Sequence, residues 1–361
     1  MAGQTGTVWG GAGQGIGDRG IGDRGIRDRG IRDRGLGDKG IGGYELMKSN
    51  REAVWEVLTQ INQVILGKET LTAEVLAALL AGGHVLLEDL PGSGKTTLAL
   101  ALSKLLGLDW KRVQFTPDVL PSDLTGFSIY RKDLQRFVYQ PGAVFCNLLL
   151  ADEINRTSPK TQSALLEVME EEQVTVEGVA RKVPAPFFVI ATQNPTGTAG
   201  TQMLPPAQMD RFMICTTMGY PDFASEVEMA KGTGIERRTD HLMPMLNAQV
   251  LQNIRQEVEQ IFVHDSVYHY IVKLITATRR NPHFEAGASP RGTISLVRMA
   301  KVTAWIAGND FVSPADVSAQ FIPVVNHRVR LSTRARMDGV EKENVLAGIL
   351  EHEERPFFKG R

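Results

Sequence analysis

The stretch His84-Val-Leu-Leu-Glu-Asp-Leu-Pro-Gly-Ser-Gly-Lys-Thr-Thr97 decides how this chain is read. An apolar run, Val85 to Leu87, enters a glycine-rich turn. The turn ends in Gly94-Lys95-Thr96 and continues into Leu98-Ala-Leu-Ala-Leu-Ser-Lys-Leu-Leu106, which reads as a helix. Strand, glycine turn and helix are the context that a phosphate-binding loop requires. Backbone N–H groups of such a turn point inward, and the helix N-terminus adds partial positive charge, so phosphate oxygens settle there. Pro91, Gly92, Ser93 and Gly94 would form the cradle, with Thr97 beside it. Lys95 can reach the β- and γ-phosphates, and the Thr96 hydroxyl can bind Mg²⁺. The pattern G-x-x-x-x-G-K-[ST] asks for glycine where this chain has Asp89. Aspartate tolerates unusual backbone angles better than most residues, and Pro91-Gly92 supplies a turn of its own. The plainer alternative is a turn of small residues with a stray lysine.

Composition bounds the rest. A chain of 361 residues has room for two domains and a sizeable core. Its net charge of −1 argues against a nucleic acid or a membrane surface as the main partner. Cys146 and Cys215 lack a CxxC spacing or a nearby histidine, which fits buried thiols in a reducing compartment better than a metal site or a disulfide framework. No signal-peptide pattern is visible, and no apolar run reaches the ~18 residues of a membrane span. A cytoplasmic protein is expected.

Residues 1–43 carry a five-residue repeat, from Gly-Ile-Gly-Asp-Arg to Gly-Leu-Gly-Asp-Lys. That period matches neither helix nor strand, so the isoleucines share no face. The repeated glycines raise the entropy cost of order, and the tail reads as disordered. From residue 44 the chain turns globular. Continuous apolar runs, Asn147 to Ala151, Phe187 to Thr192 and Phe212 to Thr216, are separated by helical patterns and predict a parallel sheet covered on both faces. Phe127 to Tyr139 and Val174 to Val183 read as inserted hairpins. Beyond Pro221 helical patterns dominate, with Ser289-Pro290 and Ser313-Pro314 as helix starts. The expected division is a tail at 1–43, an α/β domain at 44–220 and a helical domain at 221–361.

Three further elements carry chemistry. Leu148-Leu-Leu-Ala-Asp152-Glu153 is a buried strand ending in two acids, where the second nucleotide motif belongs. Asp152 would hold the Mg²⁺ shell and Glu153 would polarise the attacking water. Asn194, in Ala191-Thr-Gln-Asn-Pro195, could orient that water through its amide, although Asn-Pro is also an ordinary turn dipeptide. Arg291 falls in the first turn of a helix, where a cation opposes the dipole at a cost of about 0.3–1 kcal/mol; this suggests an anion nearby, though a surface arginine can bear that cost. A lone Asp210-Arg211 pair is usually a surface salt bridge worth little.

Taken together, Glu-Asp-Leu-Pro-Gly-Ser-Gly-Lys-Thr, Leu-Leu-Leu-Ala-Asp-Glu-Ile-Asn-Arg, Ala-Thr-Gln-Asn-Pro and Gln-Met-Asp-Arg-Phe resemble the MoxR family of AAA+ ATPases, in family order over residues 48–335. The resemblance implies an α/β fold: a P-loop NTPase (AAA+) parallel sheet sandwiched by helices, followed by an all-helical lid domain. It implies Lys95 and Thr96 as Walker A, Asp152 and Glu153 as Walker B and Asn194 as sensor 1. It likewise implies Arg211 as arginine finger and Arg291 as sensor 2, with Ile65 and Gly67 lining the adenine pocket. Lys68 stands where the family usually has Gln. ATP and Mg²⁺ are the implied cofactors. The lid would bring Arg291 to its own subunit's nucleotide, Arg211 would reach the neighbour's, and hydrolysis would change the angle between sheet and lid. The implied assembly is a homo-oligomer, a hexameric ring. Its implied role is that of a chaperone in maturation or cofactor insertion of partner complexes, with a von Willebrand factor A domain protein as a possible client. A DNA-directed AAA+ motor and an ATP-binding scaffold without turnover are the alternatives; neutral charge and the presence of Glu153 count against them.

Overall fold

The computed structural model describes residues 49–88, 93–194, 203–231 and 235–356. The repeat tail therefore lies outside the described residues, as do Asp89, Pro91 and Gly92. Five strands form the central sheet: β1 (Val85–Glu88), β2 (Trp110–Gln114), β3 (Leu148–Asp152), β4 (Phe188–Gln193) and β5 (Ile214–Thr216). Their spatial order is β2-β3-β4-β1-β5, and every pairing is parallel. Parallel neighbours need long crossovers. Helix α3 (Lys95–Leu105) follows β1 and α4 (Pro159–Glu171) follows β3. Every residue of β3 and β4 is buried, which is why both read as unbroken apolar runs. One face packs Leu86, Leu149, Ala151, Val189 and Ala191 against Phe115, Leu165, Leu166 and Phe212. The registers align the strand tips: Ala151 pairs with Ala191, and Glu88 with Gln193. The C-terminal ends of β1, β4 and β3 are thus level, one strand spacing of about 5 Å apart.

Helices α1 (Asn50–Val64) and α2 (Glu69–Leu80) precede the sheet. After Pro221 come α5 (Ala248–Glu259), α6 (Asp265–Arg280), α7 (Pro290–Ile306), α8 (Pro314–Val325) and α9 (Lys342–His352). Ser289 caps α7, and Ser313 with Asp316 forms a reciprocal capping box on α8, as the Ser-Pro signatures predict. Helix α8 packs beside β5 and covers that edge of the sheet.

One buried residue ties the helical region to the sheet. The Arg328 side chain is only 1% exposed and pairs with Asp210 at 3.0 Å. It also donates to the backbone oxygens of Met213 at 3.0 Å and Phe212 at 2.5 Å, and to Ser295 Oγ at 3.1 Å. The neighbouring His327 ring meets the Phe212 oxygen at 3.2 Å. Asp210 is therefore committed to Arg328, not to the adjacent Arg211.

Both predicted hairpins form, Phe127–Arg131 with Arg136–Gln140 and Gln173–Val176 with Val179–Lys182. Glu177 and Gly178 both take positive φ, 55° and 75°, the turn that matches strand twist in a tight hairpin. The hairpins touch: Ser128 Oγ donates to Glu177 Oε2 at 2.7 Å, and the Arg181 guanidinium lies 4.0 Å from the Tyr139 ring centroid.

Candidate nucleotide site

The phosphate loop leads from the tip of β1 into α3. Gly94 is the residue before the helix, at φ 93°, a left-handed conformation that side chains rarely adopt. Lys95 follows as the first helical residue, and only 9% of it is exposed. A buried ammonium at a helix N-terminus opposes the helix dipole and calls for an anion. Ser93 Oγ is buried and has no hydrogen-bond partner among the described residues. A buried hydroxyl, a buried cation and a helix N-terminus together suit a phosphate chain. Thr96 and Thr97 stand half-buried in the same first turn.

The acids stand at the tip of β3, with β4 between them and β1. Thr192 on β4 donates to Asp152 Oδ1 at 2.7 Å and accepts the Glu153 backbone N–H at 2.8 Å. Glu153 itself sits at φ 58° and ψ 50°, a left-handed backbone uncommon for a residue with a side chain. Thr192 therefore holds in place both the acid at the strand end and the turn that follows it. Arg112 on β2 donates to Asp152 Oδ2 at 2.7 Å. Glu153 Oε2 accepts from Gln114 at 3.0 Å and from Arg156 at 2.7 Å. The Asn194 carbonyl accepts from Asn155 Nδ2 at 3.2 Å, which joins the two strand tips a second time. Thr192→Val should keep the side-chain shape but strand the Glu153 amide and one Asp152 oxygen. A loss of about 1–3 kcal/mol in stability and a large fall in turnover are expected, read by urea unfolding and phosphate release.

Ile65 is buried and Gly67 has φ 66°. A Cβ at Gly67 would lie 2.7 Å from Ser225 Oγ and 2.9 Å from Asp222 Oδ2, so segment 218–225 closes directly on this loop. The same segment reaches the phosphate loop, with Met218 Cε 3.5 Å from where a Gly94 Cβ would be. Lys68 Nζ donates to the Tyr220 oxygen at 2.5 Å, which gives a structural use to the residue that departs from the family pattern.

The two remaining arginines lie elsewhere. Arg211 pairs with Glu170 at 3.3 Å, and Arg291 binds the other oxygen of the same carboxylate. Glu170 is near the end of α4, next to Met169, whose oxygen meets the His84 ring at 2.9 Å. His84 immediately precedes β1. The pair therefore sits at the N-terminal end of β1, and the phosphate loop leaves its C-terminal end, about 13 Å away along a strand of this length. Arg291, the residue the lid was expected to contribute, stands beside Arg211 on Glu170, at the end of the sheet away from its own phosphate loop. The anion that its helix position demands is Glu170.

Sheet order, phosphate loop, acid-tipped β3 and a following helical lid define the AAA+ class of P-loop nucleotide-binding modules. Residues 84–214 match the ATPase family associated with various cellular activities (AAA), and residues 276–349 match the AAA lid domain. The uncharacterised protein YeaC of Bacillus subtilis is 44% identical over 295 residues, 82% of this chain and 92% of YeaC. The chaperone MoxR1 of Mycobacterium tuberculosis is 35% identical over 318 residues, 86% of this chain and 84% of MoxR1. A crystal structure from Cytophaga hutchinsonii, itself only provisionally assigned as an ATPase, superposes with a TM-score of 0.79 at 35% identity, covering 85% of this chain and 96% of that one. The chain belongs to the MoxR family of AAA+ ATPases. Among the described residues, no helix is long and apolar enough to cross a membrane.

Sequence reasoning missed Thr192, Arg112, Gln114, Arg156 and Glu170. Thr192 stands inside a quoted motif and at a strand tip, so its position was a usable signal. Arg156 closes the second quoted motif, three residues after Glu153, and was equally readable. Arg112, Gln114 and Glu170 become functional only through packing between distant segments.

Proposed function

We propose that the chain hydrolyses MgATP as a closed ring of copies, a hexamer, and uses the cycle to remodel or mature a client protein. A von Willebrand factor A domain protein is the client class that fits the family best. Lys95 and the loop amides would hold the outer phosphates. Thr96 and Asp152 would hold Mg²⁺, which when bound neutralises charge on the β- and γ-phosphates. Glu153 would take the proton of the attacking water, and Asn194 would orient that water. Ile65 and Gly67 would line the base. Arg211 and Arg291 would act together on the nucleotide of the adjacent copy.

The observation that carries this reading is the bracket Asp152–Thr192–Glu153 at strand tips level with the phosphate loop. The pairing of Arg211 with Arg291 at the far end of the sheet supports completion of each site by a neighbour. The test is turnover per chain against protein concentration. It should fall steeply on dilution as rings dissociate, and chelation of divalent metal should abolish it. A specific activity independent of dilution would sink the shared-site reading.

A further inference from the structure

A cavity of about 310 Å³ opens at the N-terminal end of β1 and is lined by Arg211, Arg291 and Arg298, with Glu170 between the first two. The other nearby groups do not balance this charge. Asp210 is committed to Arg328 and to the Ser289 hydroxyl at 2.7 Å. His84 is kept neutral because burial pushes its pKa down to about 4. Three guanidiniums thus face one carboxylate that binds two of them, and Arg211 Nε is buried without a hydrogen-bond partner among the described residues. Ile294, 55% exposed, stands on the rim.

We propose that Glu170 is a positioning residue that stands in for the neighbour's terminal phosphate. This rests on the shared-site reading above. In the unassembled chain one carboxylate holds two like-charged guanidiniums side by side, one from the sheet region and one from α7. In the ring, the terminal phosphate of the adjacent copy displaces Glu170 and takes both. Arg298, two helical turns beyond Arg291 on the same helix face, adds the charge that makes the exchange favourable. An ion pair present only before assembly opposes assembly by its own free energy. Its removal should therefore promote ring formation on ATP.

The test uses sedimentation of the full chain carrying Glu153→Gln, with ATP and Mg²⁺, across protein concentrations. Adding Glu170→Gln should lower the concentration at half-assembly by about three- to tenfold, the range expected when two half-exposed ion pairs are lost. Glu170→Ala should shift it in the same direction. With Arg211→Ala also present, the Glu170→Gln shift should shrink, because one of its two partners is gone. Thermal melting at the same concentrations without nucleotide checks that each variant is folded. An unchanged or raised half-assembly concentration overturns the stand-in role while leaving the ring intact. If the Glu153→Gln chain never assembles on ATP, the shared-site reading fails and this inference with it.

Discussion

Arg211→Ala is expected to leave ATP affinity nearly intact and to cut turnover by about 10³–10⁵, the range for an arginine supplied to a phosphoryl-transfer site by a partner. The residue lies at the end of the sheet opposite its own phosphate loop and binds Glu170, so its loss removes nothing from nucleotide binding in its own copy. A mixing experiment makes the test decisive. Chains carrying Arg211→Ala keep a complete phosphate loop and acids. Chains carrying Lys95→Ala keep the arginines but lose the cation that holds the phosphates. Each is inactive alone, and a mixture should recover turnover wherever an Arg211→Ala chain follows a Lys95→Ala chain in the ring. If mixing restores nothing although both variants assemble, the arginine does not act across a subunit boundary.

The second large effect is expected from Glu153→Gln. The amide keeps the size of the side chain and its contact with Gln114, but it cannot take a proton from water. Hydrolysis should fall by about 10²–10⁴, the usual contribution of a positioned general base. ATP binding should persist, because Lys95, Gly94 and Thr96 are untouched. Equilibrium binding of a fluorescent ATP analogue beside phosphate release separates the two effects. Retained hydrolysis would move the base to another residue. Loss of binding would mean that Glu153 shapes the pocket rather than the chemistry. Because Glu153 Oε2 also binds Arg156, a modest change in stability is expected alongside.

The sheet was legible because its signals are local. A strand buried on both faces needs apolar residues at every position, so β3 and β4 are visible as unbroken runs. Ser289 and Ser313 announce α7 and α8 by cap chemistry alone. The Glu177-Gly178 turn is likewise written in the chain, since glycine accepts the positive φ that a tight hairpin imposes. The phosphate loop and the acid-tipped strand were legible for the same reason: each is written in one short stretch of sequence. What could not be read depends on contacts between distant segments. Residues 170 and 291 meet only because the first turn of α7 comes within side-chain reach of the end of α4, and no periodicity encodes that approach. The same holds for Asp210, whose partner is Arg328 and not its neighbour in sequence. The anion near Arg291 was foreseeable from its place in the helix, but its identity was not.

The burial of Arg328 bears on how work is done. Its donors are spent on Asp210, on the backbone oxygens of Met213 and Phe212 beside β5, on the Val324 oxygen of α8 and on a serine of α7, with the guanidinium itself buried. Opening that seam would break all of these bonds together, and a guanidinium left buried without Asp210 would cost several kcal/mol. A bending joint inside one copy at this seam is therefore disfavoured, and sheet and lid would travel as a single lever. The stroke would then be a tilt of each copy against the next, with its fulcrum where one chain's arginines meet the following chain's triphosphate.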